Sequence, residues 1–167
     1  MLAAIVVPHF RGKLGGLIQP SALDGRLTLK LADGWSQVDS LNPLANLKVG
    51  DTRADIYLIV VSEKKSDVQG DNHTLPKYSQ NTRARLTESM SAVRQSGPWW
   101  VSVGKHRAVR YEIHGTSQDG MQVAYLHTIV ETPEYFHQVV GWAQAANYQK
   151  NRGIIREVAD SLREDGR

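Results

Sequence analysis

Cysteine is absent from the 167 residues. That excludes disulfide scaffolds, thiolate metal sites and cysteine nucleophiles at once, although it says nothing of compartment. No apolar run approaches the ~20 residues that a membrane-spanning helix needs. No G-x-S-x-G elbow occurs, and Ser89, Ser102 and Ser117 stand in no recognisable nucleophile turn. Phosphate loops are missing too, because Gly12-Lys13-Leu14-Gly15-Gly16 lacks the flanking strand and the P-loop spacing. One-sided charge is confined to the start. Residues 1 to 31 hold Arg11, Lys13, Arg26 and Lys30 against Asp24 alone, and beyond them 16 basic face 16 acidic side chains. A polyanion binder shows a basic face on its folded body, so no nucleic-acid partner is expected.

What remains is an ordinary globular composition, with 41% hydrophobic and 22% charged residues. A chain of this length forms one domain that buries roughly 70% of its unfolded surface. Leu2 to Val7 is apolar but short and has no basic residues before it, which makes a poor signal peptide. With Gly12, Gly15, Gly16 and Pro20 it reads as a flexible lead-in over residues 1–25, ahead of a single domain over 26–164.

Leu27, Leu29 and Leu31 alternate with polar residues, a short strand closed by Asp33-Gly34, and Trp35 is expected to pack on the core. Residues 36–54 read as a connection with at most a short strand. Asp55 to Ser62, DIYLIVVS, is a central strand. Thr74 caps a helix that runs to about Met90, with Leu75, Tyr78, Thr82 and Leu86 along one side. Gly97-Pro98 breaks the chain before a strand over Trp99–Val103. Asp119-Gly120, between Lys105–Thr116 and Met121–Glu131, signals a hairpin. A two-residue turn there would set Val109 against Val130, Tyr111 against Thr128 and Ile113 against Leu126. At Thr132-Pro133 the hydrophobic period changes from two to between three and four. A hydroxyl cap followed by proline predicts a helix carrying Phe136, Val139, Val140, Ala143 and Ala146. A polar break over 147–153 and a last helix from Ile154 to Leu162 complete the reading.

The same hairpin register gathers Arg110, Glu112, His114, Tyr125 and His127 on one polar face. Glu112, His114 and His127 are the candidate metal ligands or acid–base groups, and His106 stands near as a further imidazole. They follow no metal-ligand spacing rule, and cross-strand polar pairs also serve as plain sheet stabilisers. No cofactor is expected. Trp99 and Trp100, followed by Lys105, His106 and Arg107, interleave aromatic and basic residues as single-strand binders do. Neighbouring strand residues point to opposite faces, however, so one tryptophan is expected in the core and the other on the far face. Trp99, Trp100, Arg110 and Tyr125 are the candidate partner contacts.

LTLKLADGW, DIYLIVVSEKK followed by TLPKYSQ, and the stretch from GKHRAVRYEIHG to IIREVADSLRE together resemble the PsbP/DcrB-like superfamily, which includes the Ran-binding Mog proteins. The resemblance covers about residues 26 to 164. It implies an α+β fold, an α/β sandwich whose mainly antiparallel sheet has helices on both faces. Family members bind proteins, metals or membrane-associated partners through different surfaces. Bacterial relatives are often small envelope proteins or lipoproteins with an anchoring cysteine upstream of the fold, so membrane association would need an anchor absent from this chain. A second branch comprises cytoplasmic chaperones for secreted effectors. The resemblance therefore implies a non-enzymatic binding or adaptor protein of the bacterial envelope with a protein partner. The alternatives are a cytoplasmic chaperone, with an exposed apolar groove, and a metal-dependent enzyme on the hairpin face.

Overall fold

A computed structural model describes residues 20–71 and 73–166. Ten strands and two helices follow in the order β1 (Ser21–Ala22), β2 (Leu27–Thr28), β3 (Ser36–Gln37), β4 (Leu47–Asp51), β5 (Ile56–Lys64), α1 (Leu75–Glu88), β6 (Ser91–Val103), β7 (His106–Thr116), β8 (Gln122–Glu131), β9 (Tyr135–Gln144), α2 (Ala145–Asp160) and β10 (Arg163–Glu164). Seven strands form one antiparallel sheet in the order β3-β4-β5-β9-β8-β7-β6. A small sheet, β1-β2-β10, joins the two ends of the described chain. This is the α+β sandwich that the sequence led us to expect. Most of the expected lead-in lies outside the described residues, but Pro20 is buried and β1 falls within it.

Each helix covers one face of the large sheet. Alternation along β5, β8 and β9 sends Leu58, Val60, Leu126, Val130, Val139 and Ala143 toward α2, where Tyr148, Ile155, Val158 and Ala159 meet them. The opposite residues, among them Tyr57, Ile59, Ile113, Tyr125, Ile129 and Phe136, pack under α1 through Leu75 and Tyr78. Helix α1 is capped as its sequence indicates, with Thr74 Oγ1 accepting from the Lys77 N–H at 3.4 Å. Trp35 is buried as expected, and the connection over 36–54 contains β3 and β4.

The largest departure is at Thr132-Pro133. No helix starts there: β8 turns directly into β9, with Glu131 opposite Phe136 and the Thr132 N–H bonded to the Tyr135 carbonyl at 3.0 Å. Thr132 Oγ1 accepts from the Tyr135 N–H at 3.2 Å. That is the same contact, three residues on, which a helix cap would make, so the local signal is genuine but serves a two-residue turn. Strand β9 lies between β5 and β8 and is covered on both faces. Both parities are therefore apolar, and the spacing of Phe136, Val139, Val140 and Ala143 imitates a helix. The helix begins only at Ala145 and runs through the polar stretch 147–153 without a break.

The hairpin register also differs. Ser117 and Met121 bond across a three-residue loop, Gln118–Gly120, with Gly120 at φ +85°. An odd loop of this kind shifts the pairing by one residue. Val109 faces Ile129, Tyr111 faces His127, Ile113 faces Tyr125, and Glu112 faces Leu126.

Candidate functional site

The shifted register divides the polar face expected from the sequence. Glu112 and His114 remain together on the α2 side, while His127 lies opposite Tyr111 on the α1 side. Among the described residues no three His, Asp or Glu side chains converge in a way that could hold a metal ion. The metal set Glu112, His114 and His127 is therefore corrected to a pair and a separate residue.

Under α2 the polar side chains are bound to one another. Glu112 Oε1 accepts from His114 Nε2 at 3.0 Å, and its Oε2 accepts from the Tyr148 hydroxyl at 3.2 Å and from Arg152 at 3.4 Å. Burial, then the neighbouring Glu112 charge, pushes the Tyr148 phenol up. Arg110 is buried, donates to Thr128 Oγ1 at 2.8 Å and pairs with Asp160 of the helix. These bonds pin α2 in its place along the sheet. Arg110 and Tyr125 are both buried, which takes them off the surface and out of the expected set of partner contacts.

His127 is fully buried, and neither ring nitrogen makes a hydrogen bond of ordinary geometry. Burial pushes its pKa down to about 4, and the Arg83 charge acts in the same direction; Gln138 favours the charged form and only partly offsets them. The imidazole is thus neutral near pH 7 and serves as an apolar-site residue beside Tyr111, itself overlaid by Arg83 at 4.1 Å.

A relay of three residues distant along the chain carries no local mark in the sequence. His137 is fully buried, with Nδ1 at 2.7 Å from Ser62 Oγ and Nε2 at 2.7 Å from Glu164 Oε2. Burial raises the Glu164 carboxyl, but hydrogen bonds from Thr132 and His137 outweigh it and hold it below the usual range. Burial lowers His137. A carboxylate Glu164 accepts the hydrogen bond from Nε2–H, which leaves Nδ1 to accept from the Ser62 hydroxyl. The connectivity is that of a Ser-His-acid triad, yet the Ser62 N–H is already donated to Asn46 Oδ1 at 2.8 Å. That group is therefore not free to stabilise an oxyanion. The relay ties β10 to the sheet. The cleft of about 530 Å³ nearby is lined by Glu164 and Tyr135 with Arg26, Lys64, Lys105 and His106.

The exposed apolar chemistry lies elsewhere. β6 pairs with β7 alone and forms one edge of the sheet. It continues through the cis Gly97-Pro98 bond, where the sequence suggested a break, with register shifts between Ser91 and Arg94 and between Ser96 and Trp99. Trp99 is 45% exposed and Trp100 is 54% exposed. Neither is in the core, contrary to expectation, because β6 is the last strand of the sheet and is flanked on one side only. They project to opposite faces: Trp100 pairs with Val109 on the α1 side, and Trp99 pairs with Arg110 on the α2 side. Arg107 lies over the Trp100 ring at 5.5 Å.

No protein-family model and no curated protein sequence matches the chain. Solved structures do. PsbP (CyanoP) of Synechocystis sp. PCC 6803 superposes with a TM-score of 0.63 at 12% identity, over 94% of this chain and 98% of that one. LpqN of Mycobacterium tuberculosis, involved in cell envelope biogenesis, gives 0.64 at 10% identity over 84% and 83%. The Ran-binding protein Mog1p of Saccharomyces cerevisiae gives 0.60 at 11% identity over 86% and 93%. The fold is that of the PsbP/Mog-like proteins, as the sequence resemblance implied.

Proposed function

We propose that this protein is a non-enzymatic binding or adaptor protein whose contact surface is the open β6 edge at Trp99 and Trp100. The observation that carries the reading is a contrast within the molecule. Its buried polar side chains under α2 and at Glu164 are spent on holding helices and strands, whereas two of the largest apolar side chains stand partly in solvent on an edge strand. Exposed tryptophans on one element are the usual anchors of an interface. The structural neighbours support a binding role: Mog1p is a Ran-binding protein and LpqN is involved in cell envelope biogenesis. LpqN also supports a place in the bacterial envelope for this chain. No helix among the described residues is long and apolar enough to cross a membrane.

The test is affinity purification from the native host with the wild type and a Trp99→Ala/Trp100→Ala double variant. The variant should melt at an unchanged temperature and lose specific co-purifying proteins. An identical set of companions with both proteins would overturn the reading.

A further inference from the structure

We infer that the partner seated on β6 is an extended segment rich in acidic side chains, added to the sheet as an eighth strand. This rests on the reading of β6 as the contact surface and goes further by naming what fits it.

The backbone comes first. Val103 faces His106 across the two-residue turn Gly104-Lys105. In such a hairpin the closing pair exchanges both backbone bonds, and bonded pairs then alternate along the strands. Val103, Val101 and Trp99 therefore spend their N–H and C=O groups on β7. Trp100 and Ser102 direct theirs outward, where no backbone partner stands among the described residues. The register shift before Trp99 ends this regular stretch, so the receptive edge is Trp99–Val103. An unpaired edge of this kind is what an extended chain completes in strand addition.

The side chains decide what kind of chain. From residue 91 to 111 the sequence contains Arg94, Lys105, Arg107 and Arg110 and not one Asp or Glu. Asp160 neutralises Arg110, while Arg94, Lys105 and Arg107 have no carboxylate within ion-pair reach among the described residues. Arg107 pairs with Ser102 and lies over Trp100, on the same face as both. A carboxylate on the incoming strand beside Trp100 or Ser102 would meet that guanidinium. The apolar residues that alternate with it would lie on the opposite face, beside Trp99 and Val101.

The same geometry weighs against other occupants. A single-stranded nucleic acid stacks on aromatic rings that share one platform, and these two rings lie on opposite faces. A second copy aligned edge to edge would offer Arg107 no carboxylate, since residues 91–111 contain no Asp or Glu.

Two measurements test the inference. The first places a photoreactive benzoylphenylalanine at Ser102 in the full chain and identifies the crosslinked segment in the native host. An acidic, extended segment is expected. A basic, neutral or helical segment, nucleic acid, or a second copy of this chain would overturn the inference and leave the edge as contact surface. No crosslink at all would remove both readings. The second titrates the protein with a synthetic peptide of alternating Glu and Val while following the Trp100 and Ser102 backbone amides by NMR. Both amides should shift and become protected from exchange. Affinity should fall about tenfold or more with Arg107→Glu at low ionic strength, and binding should vanish when the peptide backbone is N-methylated. Unmoved amides, equal binding of a Lys–Val peptide, or preference for oligothymidylate would each overturn it.

Discussion

Gly141→Ala tests how α2 sits on the sheet. Gly141 lies on β9 between Leu58 and Leu126 on the face that α2 covers. A methyl group there would lie 2.2 Å from Ile155 Cγ2, where ordinary contact starts near 3.4 Å. Ile155 is fully buried, so the gap of more than an ångström must be found by lifting α2 or by forcing Ile155 out of its rotamer. Overpacking of this kind costs about 1–3 kcal/mol. The stiffer unfolded chain returns about 0.4–1 kcal/mol, and the middle of each range leaves a net loss of about 1 kcal/mol. The variant should lower the midpoint of a urea transition with its slope unchanged. In an Ile155→Ala background, itself about 2–5 kcal/mol less stable, the obstructing methyl is gone. The same Gly141→Ala change should there be neutral or stabilising, a coupling of at least about 1 kcal/mol in the double-mutant cycle. A wild-type background in which Gly141→Ala is neutral or stabilising would refute the close approach of helix and strand.

Other outcomes are expected of the buried polar groups. The folded His127 pKa of about 4 lies below its unfolded value of 6.5, so only the unfolded chain binds that proton in between; stability should fall as the pH drops through this window, by up to about 3 kcal/mol. His127→Leu should flatten that dependence in denaturant midpoints measured from pH 7 to 4, and a curve of unchanged slope would contradict the buried, uncharged imidazole. Asp160→Ala leaves Arg110 buried without its carboxylate and should cost about 2 kcal/mol, moderated by the exposure of Asp160; Arg110→Met added to it should recover stability, and further loss would count against the pairing. Iodide should quench Trp99 and Trp100 and spare the buried Trp35 and Trp142, which single-tryptophan variants can read one at a time. Zinc titration should show no site that both His114→Ala and His127→Ala abolish, because a shared ligand role would require the two rings on one face.

The helix cap at Thr74, the central strand β5 and the packing of Trp35 were legible in the sequence, because each depends on residues close together or on unmistakable apolar runs. The alternation within β7 was legible too. Its partner alignment was not, since Asp119-Gly120 fits loops of two or three residues and one residue of difference turns His127 to the other face. Thr132-Pro133 misled for a related reason: a hydroxyl accepting three residues on is common to helix starts and turns, and only burial on both faces of β9 distinguishes them. Exposure of the tryptophans depends on β6 being last in the sheet, a property of the whole strand order. The Ser62–His137–Glu164 relay joins residues 75 and 27 positions apart and left no local mark.

The small sheet has a consequence for the chain as a continuous object. Ser21 and Arg163 both pair with Thr28, one on each side of β2. Two strand spacings separate them, about 10 Å. The two ends of the described fold are thus neighbours. A short linker could join them, and the chain could be reopened at the exposed Gln118–Gly120 loop with every strand of the large sheet still in place. The order in which these elements are synthesised is therefore separable from the shape they form.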